Sequence, residues 1–179
     1  MSRKILTPKF RVAFANVFKP KLNQQNEPKY GLVMLFDKDT DMSKLKELAD
    51  EVAKKKWPKG VPTDLRNPFR DGNEKADKYE GFRDTIAVTT NSSYKPGVVN
   101  QKVEEIINQE GFYAGCYARA SVTAYAYEKL GNKGVSFSLE NLQKLEDGEH
   151  MSGKTGPKDD FGPVTVGEEK EVSKGLFDQ

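Results

Sequence analysis

Alternation of apolar and polar residues, the pattern of half-buried β-strands, runs through most of the chain. Five stretches carry it, at residues 9–18, 29–37, 82–91, 112–127 and 135–145. The first places four aromatic or aliphatic side chains on one face: Phe10, Val12, Phe14 and Phe18. Residues 29–37 are apolar on both faces for most of their length, as a central strand would be. The pattern therefore predicts a mainly β protein.

The longest candidate strand, 112–127, separates two kinds of side chain. Its even positions are small or apolar: Phe112, Ala114, Cys116, Ala118, Ala120, Val122, Ala124 and Ala126. Its odd positions are mostly aromatic, polar or cationic: Tyr113, Gly115, Tyr117, Arg119, Ser121, Thr123, Tyr125 and Tyr127. We expect the small side chains to face the interior of a closed barrel or a packed helix, and the rings to face outwards. In the alternative orientation the tyrosines form the core and the alanines face solvent.

Two segments have a helical period instead. Residues 43–57 place an apolar stripe on one side, and Pro58 ends the segment; the stripe comprises Leu45, Leu48, Ala49, Val52 and Ala53. A shorter helix is predicted from Asn100 to Gly111, with Asn100 as its N-cap. It would bury Val103, Ile106 and Ile107.

The order of these elements predicts a five-stranded OB-fold-like Greek-key barrel with short helices, in which helix 43–57 is an inserted surface helix. Three strands, a short helix and a hairpin that turns at 130–134 follow one another as in that fold. OB barrels bind oligonucleotides across their second and third strands, between two loops that correspond here to 19–29 and 128–134. We expect residues 1–147 to form this domain and 148–179 to form a mostly disordered, mildly acidic C-terminal tail, because few apolar residues remain there.

The distribution of charge and the scarcity of cysteine and histidine limit the kinds of site that the protein can have. The 29 basic and 27 acidic residues nearly balance, but residues 1–30 carry seven basic residues against one acidic, while 159–179 carry six acidic against two basic. A basic start suggests a polyanion-binding body. One cysteine and one histidine exclude an intrachain disulfide and the usual zinc signatures, and the glycine spacings of nucleotide-binding loops are missing. We expect no cofactor, no metal, no membrane span and no catalytic residue.

Several longer motifs identify a family when they are taken together. They are FRVAFANVFKP at 10–20, KYGLVMLFDK at 29–38, NPFRDGN at 67–73, YKPGVV at 94–99, GFYAGCYARASVTAYAY at 111–127, GNKGVSFSLENLQK at 131–144, DGE at 147–149 and DDF at 159–161. In these motifs the chain resembles the single-stranded-DNA-binding proteins of tailed bacteriophages. The resemblance implies an OB fold, binding of single strands without sequence specificity, and a role in phage DNA replication or recombination. It also implies work in the host cell cytoplasm.

Single strands bind where cations follow the phosphates and aromatic faces receive the bases. The cations that we expect to contact phosphates are Lys9, Arg11, Lys19, Arg70, Arg83, Lys95 and Arg119. The rings that we expect to stack on bases are Tyr30, Tyr94, Tyr117 and Tyr125. Arg119 is the strongest single candidate, because an arginine both pairs with phosphate and stacks on rings.

For the tail we expect two contacts. Its carboxylates would occupy the basic groove in the absence of DNA, and Leu176, Phe177 and Asp178 at its tip would bind a phage replication or recombination protein. Two other classes of protein remain open. A metal-dependent nuclease could use the carboxylates Asp71, Glu74, Asp77, Asp84 and Glu104. A phage structural or assembly protein would bind no DNA.

Overall fold

A closed barrel of β-strands makes up the body of the protein. The computed structural model describes residues 3–151 and 163–164. Its strands in this part are β1 (Ile5–Leu6), β2 (Phe10–Leu22), β3 (Pro28–Asp37), β4 (Arg70–Asp71), β5 (Thr85–Asn91), β6 (Gly97–Val99), β7 (Tyr117–Lys129) and β8 (Asn132–Glu146). The described residues also include one α-helix, α1 (Ser43–Lys56), and 3₁₀ helices at Gly72–Lys75 and Glu80–Phe82.

Five strands close the barrel in the order β7, β2, β3, β5 and β8, and β8 pairs back with β7. Their contacts are antiparallel except for the parallel pair β5 and β8. The short strands β1, β4 and β6 add to β7, β5 and β8 respectively. The mainly β barrel predicted from the sequence is confirmed.

The interior of the barrel is apolar and continuous with the buried side of α1. Phe10 and Phe36 meet edge to face, with ring centres 5.6 Å apart. Leu45 and Leu48 of α1 are fully buried, and the helix packs against β7 and β8. The helix predicted at 43–57 is therefore confirmed to within one residue. None of the described helices is long and apolar enough to cross a membrane.

Strand β7 has the orientation that its alternation predicts. Ala118, Ala120, Val122 and Ala124 are buried in the core, whereas Arg119 and Tyr125 on the other side are exposed. The strand begins at Tyr117 rather than at 112, because Gly115 before it has φ of +114° and breaks the extended chain. A Cβ at Gly115 would lie 2.0 Å from the carbonyl oxygen of Glu149, so the two segments touch there.

The helix expected at 100–111 is wrong. Val103 has φ of +62°, a left-handed conformation that stops an α-helix and that β-branched residues rarely adopt. The Asn100 side chain accepts N–H bonds from Lys102 and Glu104, so it stabilises a turn instead. Of the three residues expected to be buried, Val103 and Ile107 are exposed and only Ile106 packs against the core.

Strand β2 departs from simple alternation at Phe14. The register with β3 shifts between Ala13 and Asn16, and Phe14 has φ of +49°. Such a bulge turns the following side chains by one position. Phe14, which simple alternation places on the same face as the buried Phe10 and Val12, is consequently 40% exposed on the outside.

The two loops that border the second and third strands of the OB barrel are shorter than predicted. The first, expected at 19–29, comprises residues 23–27, because β2 and β3 extend to Leu22 and from Pro28. The second, expected at 128–134, is the two-residue turn Leu130–Gly131, in which both residues have positive φ. Strands therefore occupy most of the residues that were expected to form these two loops.

The orientation of β7 can be tested by overpacking. Ala120→Leu adds three carbons to a site that is 2% exposed, so we expect it to destabilise the protein by about 1–3 kcal/mol in urea unfolding. Arg119→Leu, on the exposed side of the same strand, is the matched control and should change stability by less than about 0.5 kcal/mol. The opposite ranking would mean that the alanines face solvent.

Candidate nucleic-acid interface

The outward side of β2, β3 and β5 forms one surface, which we call the outer face. Residues paired across the three strands form rows on this surface. In one row Arg11 lies beside Leu35, which lies beside Ala87, and in the next Ala13 lies beside Val33, which lies beside Thr89. Asn16 lies beside Gly31. A Cβ at Gly31 would lie 2.2 Å from the Thr90 carbonyl oxygen, so only glycine allows the strands to approach this closely. The outer face therefore runs along the strands from Arg11 towards Asn91.

Four of the predicted binding residues meet at the first end of the outer face. Lys9, Arg11, Arg83 and Tyr117 line a cleft of about 250 Å³. The Lys9 ammonium lies 5.3 Å from the centre of the Tyr117 ring. This cleft presents cations and a ring together, as the sequence analysis expects of a binding site.

Two of these cations already have carboxylate partners. Lys9 Nζ lies 2.8 Å from Glu146 Oε1, and Arg83 Nε lies 2.7 Å from Glu80 Oε1. The hydrogen bond to Glu80, followed by its charge, raises the pKa of Arg83. All four side chains are more than half exposed, so water screens both pairs. A phosphate that enters the cleft can replace either carboxylate.

The guanidinium of Arg11 is hydrogen-bonded to the backbone of two other segments. Its Nε donates to the Gly115 carbonyl at 3.2 Å and its Nη2 donates to the Glu149 carbonyl at 2.7 Å. Both acceptors are backbone atoms of segments that flank the barrel. Arg11 is half-buried, and its guanidinium helps to hold the residues that follow β8 in place.

Residues 147–151, which follow β8, contact two of the residues that line the cleft, Arg11 and Gly81. Tyr113 Oη donates to Asp147 at 2.8 Å, and its ring stacks on His150 with centres 4.0 Å apart. Met151 N–H bonds the Ala114 carbonyl, and its side chain reaches Gly81. The chain beyond β8 thus starts at the outer face, an arrangement that the sequence analysis did not predict. Leu176, Phe177 and Asp178 lie outside the described residues.

A small apolar cluster covers the middle of the outer face. Phe82 and Met151 pack over Ala13, Val33, Leu35 and Ala87. Beside it, Phe14 meets Tyr79 edge to face with ring centres 5.0 Å apart, and these rings are 40% and 39% exposed. Neither ring was predicted to stack on bases, because alternation alone groups Phe14 with the buried Phe10 and Val12, and no periodic pattern includes Tyr79. Only the bulge in β2 and the fold of residues 72–83 bring them together.

Five more predicted residues belong to the strands and loops around the end of β5, which is the second end of the outer face. They are Lys19, Tyr30, Tyr94, Lys95 and Tyr125. Lys95 among them lines a cleft with Phe18 and Ile106. The Tyr30 backbone pairs with Ser92, and the Tyr125 hydroxyl donates to Asn91 Oδ1 at 3.2 Å. Lys19 lies on β2 between Asn16, which pairs with Gly31, and Lys21, which pairs with Lys29. Tyr94 is 83% exposed and offers both faces of its ring to a ligand.

The last two predicted residues lie apart from these groups. Arg70 is on β4 opposite Ala87, and its Nη2 is 2.9 Å from Glu74 Oε2. Arg119 donates to Gln143 Oε1 at 2.8 Å and lines a separate groove with Leu6 and Val103. The structure therefore does not bring Arg119, the strongest sequence candidate, into the cleft that its neighbour Tyr117 lines.

The carboxylates considered for a nuclease do not come together as one group in the described part of the chain. Nowhere among the described residues do three or more His, Cys, Asp or Glu side chains gather as a metal site would require. The carboxylates considered for a nuclease are instead partly engaged elsewhere, as in the contacts of Asp71 with Lys38 and of Glu74 with Arg70. Cys116 is buried, and burial raises the pKa of its thiol, which disfavours the thiolate.

Solved structures of two bacteriophage proteins are similar to this architecture. A single-stranded-DNA-binding protein from bacteriophage Enc34, solved in complex with ssDNA, is 23% identical with a TM-score of 0.68, covering 83% of this chain and 89% of that one. Gp2.5, a single-stranded DNA binding protein encoded by bacteriophage T7, is 11% identical with a TM-score of 0.63, covering 86% and 97%. At these identities the likeness shows a shared fold.

Sequence comparison extends the likeness along the chain. Putative protein p50 of Acyrthosiphon pisum secondary endosymbiont phage 1 is 30% identical over 183 residues, which cover 94% of this chain and 98% of p50. The family model described as Enterobacter phage Enc34, ssDNA-binding protein, matches residues 3–173. The resemblance found in the sequence motifs is thereby confirmed, and the chain belongs to the Enc34 family of phage ssDNA-binding proteins.

Proposed function

We propose that this protein binds single-stranded DNA without sequence specificity and protects it during phage DNA replication and recombination in the host cell cytoplasm. The observation that carries the proposal is the outer face, which has rings and cations at both of its ends. Membership of the Enc34 family supports it, as does the similarity in fold to a protein solved in complex with ssDNA. The protein acts by binding alone and makes or breaks no bond in the DNA.

The rings account for binding without sequence preference. Every base has a flat face, so a strand that stacks on exposed rings is held whatever its sequence. Tyr94 and Tyr125 supply such rings at one end of the outer face, and Tyr117 supplies one in the cleft at the other. Phe14 and Tyr79 meet beside the apolar cluster in the middle of the outer face, and in this proposal the strand passes over all five rings.

The cations hold the phosphates beside this path. Lys9 and Arg83 serve the cleft, Lys19 and Lys95 serve the second end, and Arg70 lies beside the middle of the outer face. Their carboxylate partners in the free protein are exposed and give way to phosphate. Arg119 serves as an outlying contact, and Arg11 positions the chain that leaves β8.

The C-terminal residues 148–179 have a second role in this proposal. Their carboxylates occupy the cleft when DNA is absent, and Leu176, Phe177 and Asp178 bind a replication or recombination protein. Support comes from residues 147–151, which lead the chain to the edge of the cleft, and from the six acidic residues between 159 and 179. DNA and tail would then compete for the same cations.

Salt should weaken DNA binding in proportion to the number of phosphates contacted. In titrations of poly-dT we expect log affinity to fall linearly with log salt concentration, with a slope of about −0.7 per contacted phosphate. A flat response would contradict DNA binding and favour a structural or assembly protein.

In the same experiment with Mg²⁺ added, labelled DNA should stay intact, whereas cleavage would indicate a nuclease.

Removal of an exposed ring should weaken binding without unfolding the protein. Tyr94→Ala should lower the affinity for oligo-dT by roughly 5- to 150-fold, because one base stack contributes about 1–3 kcal/mol. Tyr94→Phe keeps the ring and is the matched control, which should bind like the wild type. Equal affinities of the alanine and phenylalanine variants would remove Tyr94 from the binding path.

Deletion of residues 162–179 should separate the two roles of the tail. We expect the shortened chain to bind oligo-dT more tightly at low salt, because fewer carboxylates compete for the cleft. It should also lose its binding to phage replication proteins in a pull-down. If the affinities for oligo-dT and for phage replication proteins both remain unchanged, the proposed roles of the tail are wrong. The proposal that the barrel binds DNA would still stand.

A further inference from the structure

The tip of the β7–β8 hairpin carries an unusual residue. Lys129 pairs with Asn132 across a two-residue turn, Leu130–Gly131, in which φ is +52° and +81°. Two positive φ values in such a turn favour Asn-Gly, Asp-Gly or Gly-Gly, and a leucine at the first position is strained. Leu130 is also 88% exposed, more than any other large apolar side chain among the described residues.

This side chain gains little within the barrel. No atom would lie within 4 Å of a Cβ at Gly131, so the tip projects into open solvent. A leucine here is therefore unfavourable in two ways, because its backbone is strained and its apolar side chain is exposed to water. Strain of this kind points to a role outside the fold when the surrounding structure holds it in place.

The surrounding structure does hold the hairpin in place. Arg66 N–H bonds the Lys133 carbonyl at 2.9 Å, and Arg66 Nη2 donates to Asn132 Oδ1 at 2.8 Å. Arg66 also forms a parallel bridge with Gly134. Because the segment around Arg66 braces one strand of the hairpin, the position of Leu130 is set before any ligand arrives.

The hairpin also places Leu130 beside the proposed path of the DNA. The Tyr125 and Tyr127 rings on the same hairpin have centres 6.5 Å apart, and Tyr125 bonds Asn91 at the second end of the outer face. Lys129 and Lys133 flank the turn. A strand that stacks on Tyr125 therefore passes the tip within a few nucleotides.

We propose that Leu130 is a wedge that inserts between two neighbouring bases of the bound strand and unstacks them. This inference rests on the proposed DNA binding. An apolar side chain that enters a base step replaces base–base contact with contact between each base and the side chain, and so buries its own apolar surface. The fixed turn removes most of the conformational cost of insertion. The wedge adds affinity and stops purine-rich strands from restacking.

Two variants of the same residue test the wedge. Leu130→Asn removes the apolar side chain and suits positive φ, so the protein should unfold at the same temperature as the wild type or higher. Leu130→Met keeps an apolar side chain of similar size. Leu6→Asn, which changes a 58% exposed leucine on β1 outside the outer face, is the positional control.

The measurement uses an oligo-dA that contains 2-aminopurine at every third position, whose fluorescence rises when its neighbours unstack. At saturating protein we expect the wild type, Leu130→Met and Leu6→Asn to raise the fluorescence equally, and Leu130→Asn to give less than half of that rise. The affinity of Leu130→Asn for this oligonucleotide should fall roughly 3- to 10-fold, which corresponds to about 0.6–1.4 kcal/mol.

Three results would overturn the inference. A fluorescence rise in Leu130→Asn equal to that of the wild type means that Leu130 unstacks nothing, whatever its affinity. Loss of the rise in Leu130→Met as well means that shape rather than apolar insertion matters. Absence of any binding by the wild type, to oligo-dA or oligo-dT, would remove the proposed function itself, a result distinct from the first two.

Discussion

The pairing of β7 with β8 is the contact on which the rest of the structure depends. It runs from Tyr117 and Glu146 to the turn at Leu130–Gly131 and closes the sheet into a barrel. Closure is possible because the inward positions of β7 are small, and α1 packs its apolar stripe against the same two strands. Larger inward side chains would separate the strands from the helix. The same register sends Tyr117 and Tyr125 outwards, so one pairing builds the core and presents the rings.

The middle and the ends of the outer face differ in character. An OB barrel offers its second and third strands to ligands, yet here the middle of those strands is apolar and covered by Phe82 and Met151. Exposed rings and cations are left at the two ends. Because Met151 belongs to the segment that follows β8, the chain itself completes part of this surface. The beginning of the C-terminal region is therefore part of the outer face, along which we propose that the DNA runs.

Cations on this surface differ in how free they are to bind. Arg11 donates to two backbone carbonyls and is half-buried, so it acts mainly on the conformation of the protein. Lys9 and Arg83 pair with exposed carboxylates, which phosphate can replace at little cost. A count of lysines and arginines in the sequence does not distinguish these cases, because the partners lie up to 138 residues away.

Local patterns were enough for the five strands that close the barrel, the helix α1 and the orientation of β7, because alternation and helical period reflect which side of an element is buried; the short strands β1, β4 and β6 were not predicted. The patterns failed at Val103, Phe14 and Gly115, where one backbone angle ends or shifts an element. The sequence by itself thus determined the barrel and the family, and it predicted rings and cations as the residue types of a binding site. Only the tertiary structure decided that Phe14 and Tyr79 meet outside, that Arg119 lies apart from the cleft and that residues 147–151 return to it. These contacts join segments distant in sequence, and no local period records them.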